Sequence, residues 1–136
     1  MAGVLLTPEQ HIFVTERHLA TLTTLRADGR PHVVPVAFTW DADAGLARVT
    51  SKRTSMKVRH IERAGEQGAR VALCQVDGGR WLTLEGVARV RDDHNSIADA
   101  RARYARRYRE LSDDPERVVV VISVDKVMSS SYMSRG

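Results

Sequence analysis

Residues 50–63, TSKRTSMKVRHIER, place five basic side chains in fourteen positions against a single acid, Glu62. The cations are Lys52, Arg53, Lys57, Arg59 and Arg63, and the hydroxyls of Thr50, Ser51, Thr54 and Ser55 are interleaved with the first of them. The chain has three lysines against eighteen arginines, and two of those lysines fall here. Hydroxyls and ammonium groups at the end of a strand and the start of a helix suit a phosphate, because backbone N–H groups and the positive helix end add to the attraction. The same run also fits a solvated basic face, and the pattern alone leaves both readings open. A nucleic-acid patch is the weaker third reading. Such binders show a denser basic stripe with interleaved aromatics, whereas aromatics make up 5% of this chain and its net charge is only +4.

Other chemistry is hard to find. There is no G-x-S-x-G elbow, no H-E-x-x-H, no glycine-rich phosphate loop and no dinucleotide-binding glycine pattern. His11, His18, His32, His60 and His94 lack metal-ligand spacing and read as surface or hydrogen-bonded core residues, so no metal is expected. Glu85 has no carboxylate partner at a useful spacing and reads as a strand residue rather than a general acid. Cys74, the only cysteine, rules out an internal disulfide and reads as a buried structural thiol. With no catalytic nucleophile of its own, an enzyme built on this chain would rely on a bound organic cofactor.

The elements that must position the basic run follow from periodicity. Residues 7–17, TPEQHIFVTER, read as a short helix with Thr7 as cap and Pro8 at its first position. Residues 19–25, HVVPVAFTW (32–40) and LARVTS (46–51) read as three consecutive strands forming a meander, with turns at Asp28-Gly29 and DADAG. Pro35 implies a bulge or a sheet edge, since it has no amide to donate. The basic run then enters a helix capped by Thr54 or Ser55, with Val58, Ile61 and Ala64 on one side. ARVALCQVDGGRWLTLEGVARVR is a hairpin turning at Asp77-Gly78-Gly79. DDHNSIADARARYARRYREL is a helix with acids at its start and arginines in its later turns, and RVVVVISVDKVMS is a buried strand. The tail SSYMSRG reads as frayed or as a partner contact. Helix, three strands, helix, two strands, helix, strand amounts to a mainly β domain with helices, spanning residues 1–136 as one unit. Its six antiparallel strands favour a small barrel.

Composition sets the remaining bounds. The chain is 43% apolar and 28% charged, without an apolar run of membrane-spanning length or a basic, apolar leader at its start. These features lead to expecting a cytoplasmic protein with neither membrane nor nucleic-acid partners.

The succession HLATLTTLRADGRPHVVPVAFTWDADAGLARVTS, KRTSMKVRHI and RVALCQVDGGRWLTLEGVARV resembles the pyridoxamine-phosphate-oxidase-like split β-barrel family. The shared motifs are ATL…DGRPHVVPV…F…D in the first hairpin, T-x-x-x-x-S-x-K before the helix and W-x-x-x-x-G after the second hairpin turn. The later RYARRYREL…PERVVVVISVDKVMSS looks like the actinobacterial branch that uses the deazaflavin coenzyme F420, close to its biliverdin-reductase group. The likeness runs from about Glu9 to Ser130.

The resemblance implies a six-stranded antiparallel split β-barrel and a homodimer with the cofactor at the subunit interface. It implies that Thr50, Ser51 and Lys57 hold the cofactor phosphate, with Lys52 and Arg53 nearby. The backbone of Pro35, Val36 and Ala37 would run along the isoalloxazine-type ring. Arg80 and Trp81 would approach the site from one or other subunit, although Trp81 also reads as a dimer-core anchor. The implied activity is hydride transfer from reduced F420 to a conjugated planar acceptor, for which a tetrapyrrole such as biliverdin is a candidate and Arg80 a candidate partner for its propionates. No residue is assigned a catalytic role, and the proton would come from solvent or a basic side chain. FMN is the alternative cofactor and a non-enzymatic cofactor-binding protein the alternative class; Arg59 and Arg63 favour F420, whose tail carries further anionic groups. The C-terminal arginine and histidine pattern of true pyridoxamine phosphate oxidases is missing, so oxidation of vitamin B6 phosphates is not expected. The N-terminal extension of larger quinone-reducing relatives is also absent.

Overall fold

The structure, a computed structural model, describes residues 4–135. The first helix, α1 (Pro8–Thr15), opens with a reciprocal capping box: the Gln10 amide donates to Thr7 Oγ1 and the Thr7 amide to Gln10 Oε1. Then come β1 (Ala20–Leu25), β2 (Pro31–Val36), β3 (Thr39–Asp41), β4 (Leu46–Lys52) and α2 (Met56–Arg63). A 3-10 turn at Gly65–Gln67 leads to β5 (Ala69–Asp77), β6 (Arg80–Arg91), α3 (His94–Arg107), β7 (Arg117–Ser129) and α4 (Ser131–Ser134).

Two expectations about the strands need correction. HVVPVAFTW is two strands, which raises the count from six to seven, and the first three sequence segments do not form a meander. The sheet runs β2-β1-β5-β6-β7-β4-β3, all in antiparallel pairs, so β2 and β3 lie at its opposite edges. Only Ala37 and Phe38 connect them. Two residues span at most about 10 Å between their flanking Cα atoms, so the sheet must curl until its edges nearly meet. No ladder closes β2 to β3, and the barrel stays open along that seam. Pro35 lies on the edge strand β2, one of the two places expected of it.

Inward residues alternate along every long strand and build one core, including Leu22, Val49, Leu73, Leu82, Leu84, Val120 and Ile122. Phe13 and Val14 of α1 and Val58 and Ile61 of α2 join it. Helix α3 packs on β3, β4 and β7. Beneath it, burial pushes the Asp41 carboxyl upward, but Arg48, the Ala44 amide and Arg103 outweigh burial and hold it below its ordinary range. The tail is ordered as α4 rather than frayed: Met133 is buried, and Thr7 Oγ1 donates to its carbonyl at 2.6 Å. Cys74 is half-buried rather than buried, because it falls on the outward-facing row of β5.

His60 shows how α2 is locked to the barrel. Its ring is 5% exposed, its Nδ1 pairs with the Thr24 hydroxyl at 2.8 Å, and the His32 ring meets it edge-on at 4.9 Å. Burial, His32, Arg63 and Arg26 all lower its pKa. The unfolded chain therefore takes up a proton that the folded chain refuses once pH falls below the ordinary histidine value, about 6.5. Stability should be on a plateau above that pH and decline below it. Urea midpoints from pH 8 to 5.5 test this, and His60→Gln should flatten the acid limb. An equally steep limb in the variant would assign it elsewhere.

Candidate functional site

The basic run divides into groups with different fates. Strand β4 ends at Lys52, and after three intervening residues the chain enters α2. Ser55 occupies the cap position in extended conformation, yet its side chain makes no cap bond. Its hydroxyl instead meets that of Ser51 at 2.9 Å. The Arg59 amide closes the first turn on the Ser55 carbonyl, while the amides of Met56, Lys57 and Val58 have no acceptor among the described residues. The start of α2 is thus an open set of donors beside two joined hydroxyls.

Lys57 projects from that first turn. It is half-buried, burial lowers its pKa, and no carboxylate or hydrogen-bond acceptor meets its ammonium among the described residues. A half-buried ammonium without a counter-ion carries a desolvation cost that an anionic ligand would offset. Lys52 is exposed and also without an acidic partner among the described residues. Arg53 is engaged elsewhere: its guanidinium lies 2.6 Å from Asp92 and 3.4 Å from Glu62. It braces the ends of the two helices rather than offering a free fork. Thr50 and Ser51 are consecutive strand residues and face opposite sides, so only Ser51 joins the Ser55 cluster.

The register explains how Pro35–Ala37 approaches this end of β4. Thr39 pairs with Arg48 across the β3–β4 hairpin. Continuing that register two residues toward the seam sets Ala37 opposite Thr50. Two side chains of α3 hold the link. Tyr108 Oη donates its one proton to the His18 carbonyl at 2.7 Å and lies 3.2 Å from that of Phe38. Arg107 donates to the Phe38 carbonyl, twice to that of Glu16, and to Gln75 Oε1 at 2.7 Å. Its guanidinium lies over the Phe38 ring at 4.6 Å. Burial lowers its pKa, and its donors are satisfied by neutral oxygens instead of a carboxylate. In the sequence Arg107 and Tyr108 entered only as part of RYARRYREL in the family resemblance, with no role of their own; nothing local marks them as a clamp.

Arg80 and Trp81 are not joined to the Ser51–Lys57 cluster by any contact among the described residues. Arg80 forks onto Glu16 at 2.9 and 3.0 Å and onto Asp77, and lies over the Phe13 ring at 4.8 Å. The hydrogen bonds it donates to the Glu16 and Asp77 carboxylates raise its pKa and hold it firmly protonated. Glu16, His18 and Asp77 have ligand-type atoms within 4.8 Å of one another, but the Arg80 guanidinium already supplies the cation there. Trp81 is 38% exposed on the outer sheet face. In the row Pro35–Thr21–Cys74–Thr83, three strand spacings of about 4.8 Å each separate β2 from β6, and Trp81 lies two residues beyond. That outer face also presents Leu25, Val33 and Val76 to solvent.

The open-seamed antiparallel barrel with its helices defines a class of fold. Residues 6–130 match the family model described as pyridoxamine 5'-phosphate oxidase, and the chain belongs to that family. Over 119 residues it is 47% identical to the F420H(2)-dependent biliverdin reductase of Mycobacterium tuberculosis (strain CDC 1551 / Oshkosh), covering 88% of this chain and 84% of that one. A solved structure described as an F420 reductase superposes with a TM-score of 0.69 at 23% identity, over 87% of this chain and 94% of its own. The haem storage protein HutZ from Vibrio cholerae gives a TM-score of 0.73 at 19% identity, over 92% and 94% of the two chains. These last two likenesses speak for the fold alone. Among the described residues no helix is long and apolar enough to cross a membrane.

Proposed function

We propose that this chain is an F420H2-dependent oxidoreductase that passes hydride to a conjugated planar acceptor, with biliverdin the first to try. The observation that carries the reading is Lys57, half-buried without a counter-ion beside the Ser51–Ser55 hydroxyls at the open start of α2. The relative named an F420H(2)-dependent biliverdin reductase supports it. In this reading Lys57, Ser51 and Ser55 hold the cofactor phosphate, Lys52 adds long-range attraction, and Thr50 and the backbone of Pro35–Ala37 border the ring. When bound, F420H2 supplies the hydride from its deazaflavin carbon. The chain positions the ring, excludes water along the seam and stabilises negative charge near α2. Arg59 and Arg63 are exposed on the same helix, and among the described residues neither meets a carboxylate; Arg63 donates to the Leu25 carbonyl at 3.0 Å. Free cations there favour a cofactor with further anionic groups over FMN. Fluorescence titration of the protein with F420 and FMN side by side, followed by an acceptor screen, tests the assignment. Tighter binding of FMN would overturn the F420 reading; cofactor binding without turnover of any acceptor would favour a binding protein.

The same reading includes a homodimer. Trp81 and Val76 are paired exposed apolar residues at one end of the outer sheet face, Leu25 and Val33 lie toward its other end, and Trp81 is too far along the sheet to complete the Lys57 cluster within one chain. A second copy would cover that face and bring Trp81, and with it Arg80, toward the cofactor from the opposite side. Trp81→Asp should shift the sedimentation coefficient from dimer to monomer and lower cofactor affinity together. A wild-type protein that sediments as a monomer would remove the dimer from the reading.

A further inference from the structure

The arginines around α3 outnumber their acids on one side of the barrel. Asp41 and Asp99 are both shared between Arg48 and Arg103, at distances from 2.9 to 3.4 Å. Arg107 is spent on neutral oxygens, and Arg106 has no carboxylate or hydrogen-bond acceptor among the described residues. These side chains border a cleft of about 240 Å³ between the end of α1, β3 and the last turns of α3. Thr15, Thr39, Trp40, Arg103, Arg106 and Arg107 line it, with Val14 behind. Thr15 turns its hydroxyl proton to the Ile12 carbonyl at 2.7 Å, which leaves the Arg106 guanidinium, the Trp40 indole N–H and the Thr39 hydroxyl as donors for a ligand. An apolar indole wall facing unspent positive charge selects a flat molecule with a negative end.

We propose that this cleft is a second ligand site, separate from the Ser51–Lys57 cluster, for a small planar organic carboxylate. The ring lies along Trp40 and Val14, and the carboxylate pairs with Arg106 in the field of Arg103 and Arg107. Its volume suits one or two fused rings and is too small for a whole tetrapyrrole. No residue of 50–57 lines it, so it is not part of the phosphate cradle.

The test follows the Trp40 indole signal by NMR in ¹⁵N-labelled full chain, assigned with Trp81→Phe. The probe is 2-naphthoate, with the uncharged 2-naphthalenemethanol as control. The expected result is a saturable shift of Trp40 with the acid and not the alcohol. Affinity should fall about tenfold or more in Arg106→Ala, the loss of one charge-assisted pair, and recover in part in Arg106→Lys. Arg106 is exposed, so its loss should leave the fold unchanged. Saturating F420 should not displace the probe. No saturable shift, equal binding of the alcohol, unchanged affinity in Arg106→Ala or displacement by F420 would each overturn the proposal. The first three outcomes are independent of whether F420 is the cofactor.

Discussion

Lys57→Ala should weaken F420 binding by about 10- to 100-fold, the range expected when a charge-assisted hydrogen bond to an anion is lost. The same variant should be as stable as the parent or slightly more so. In the free protein the Lys57 ammonium is half-buried with no acid beside it, and burial already lowers its pKa. Removing it relieves a desolvation cost instead of breaking a contact. Loss of binding without loss of stability separates a ligand-holding lysine from a structural one. Quenching of F420 fluorescence reads the first quantity and urea unfolding the second. Unchanged affinity would take Lys57 out of the site, and a marked loss of stability would mean that its stem supports α2. Arg53→Ala serves as the contrast. Its fork is held by Asp92 and Glu62, so the variant should disturb the helix ends more than it disturbs binding.

The largest stability effect is expected from Gly86→Ala, about 3 kcal/mol or more, the upper range for forcing an extra carbon into a close-packed site. Between Glu85 and Gly86 the β6–β7 register slips, pairing Glu85 with Lys126 and Gly86 with Val124. Asp125 is the extra residue, and it turns outward to meet Arg70. A Cβ on Gly86 would lie 2.1 Å from the Ser123 carbonyl oxygen and 2.9 Å from the Val124 Cα. Both are backbone atoms of the central strand pair, so no side-chain rotation can make room. Chemical unfolding of the variant checks the value; a cost under about 0.5 kcal/mol, the range of ordinary surface substitutions, would show that the strands can part at the bulge. The close approach also gives the glycine of W-x-x-x-x-G a steric meaning. The motif marks where two strands come too near for any side chain.

What the residues disclosed in advance has a physical pattern. Local signals worked well: the Thr7 cap, the Asp28-Gly29 and Gly78-Gly79 turns and the start of α3 at Asp93 depend on neighbours within a few positions. The β2–β3 break escaped because Ala37 and Phe38 are ordinary strand residues, and only pairing with opposite sheet edges parts them. Likewise, the basic run singled out Lys57 and Ser51 as candidates, but spacing alone could not tell that Arg53 and Arg80 are already claimed by acids distant in sequence. Charge is legible in a sequence, whereas whether that charge is spent depends on long-range contacts. The helix-end residues Arg107 and Tyr108 were missed for the same reason, since their partners lie about seventy to ninety positions away.

The place of β7 in the sheet has a consequence for how the chain is made. Strand β7 is the seam between β6 and the β3–β4 hairpin, so Thr50 finds its ladder partner only at Val119. At elongation rates of roughly 5–20 residues per second, the β4 edge waits on the order of 3–14 s for its neighbour to emerge. During that interval Leu46–Lys52 is an unprotected strand edge, and the turn proposed to hold the cofactor phosphate has no scaffold beside it. Assembly of the proposed site is therefore tied to a segment translated well after it, and a chain stalled before residue 117 would carry every residue of that proposed cradle without the strand that braces it.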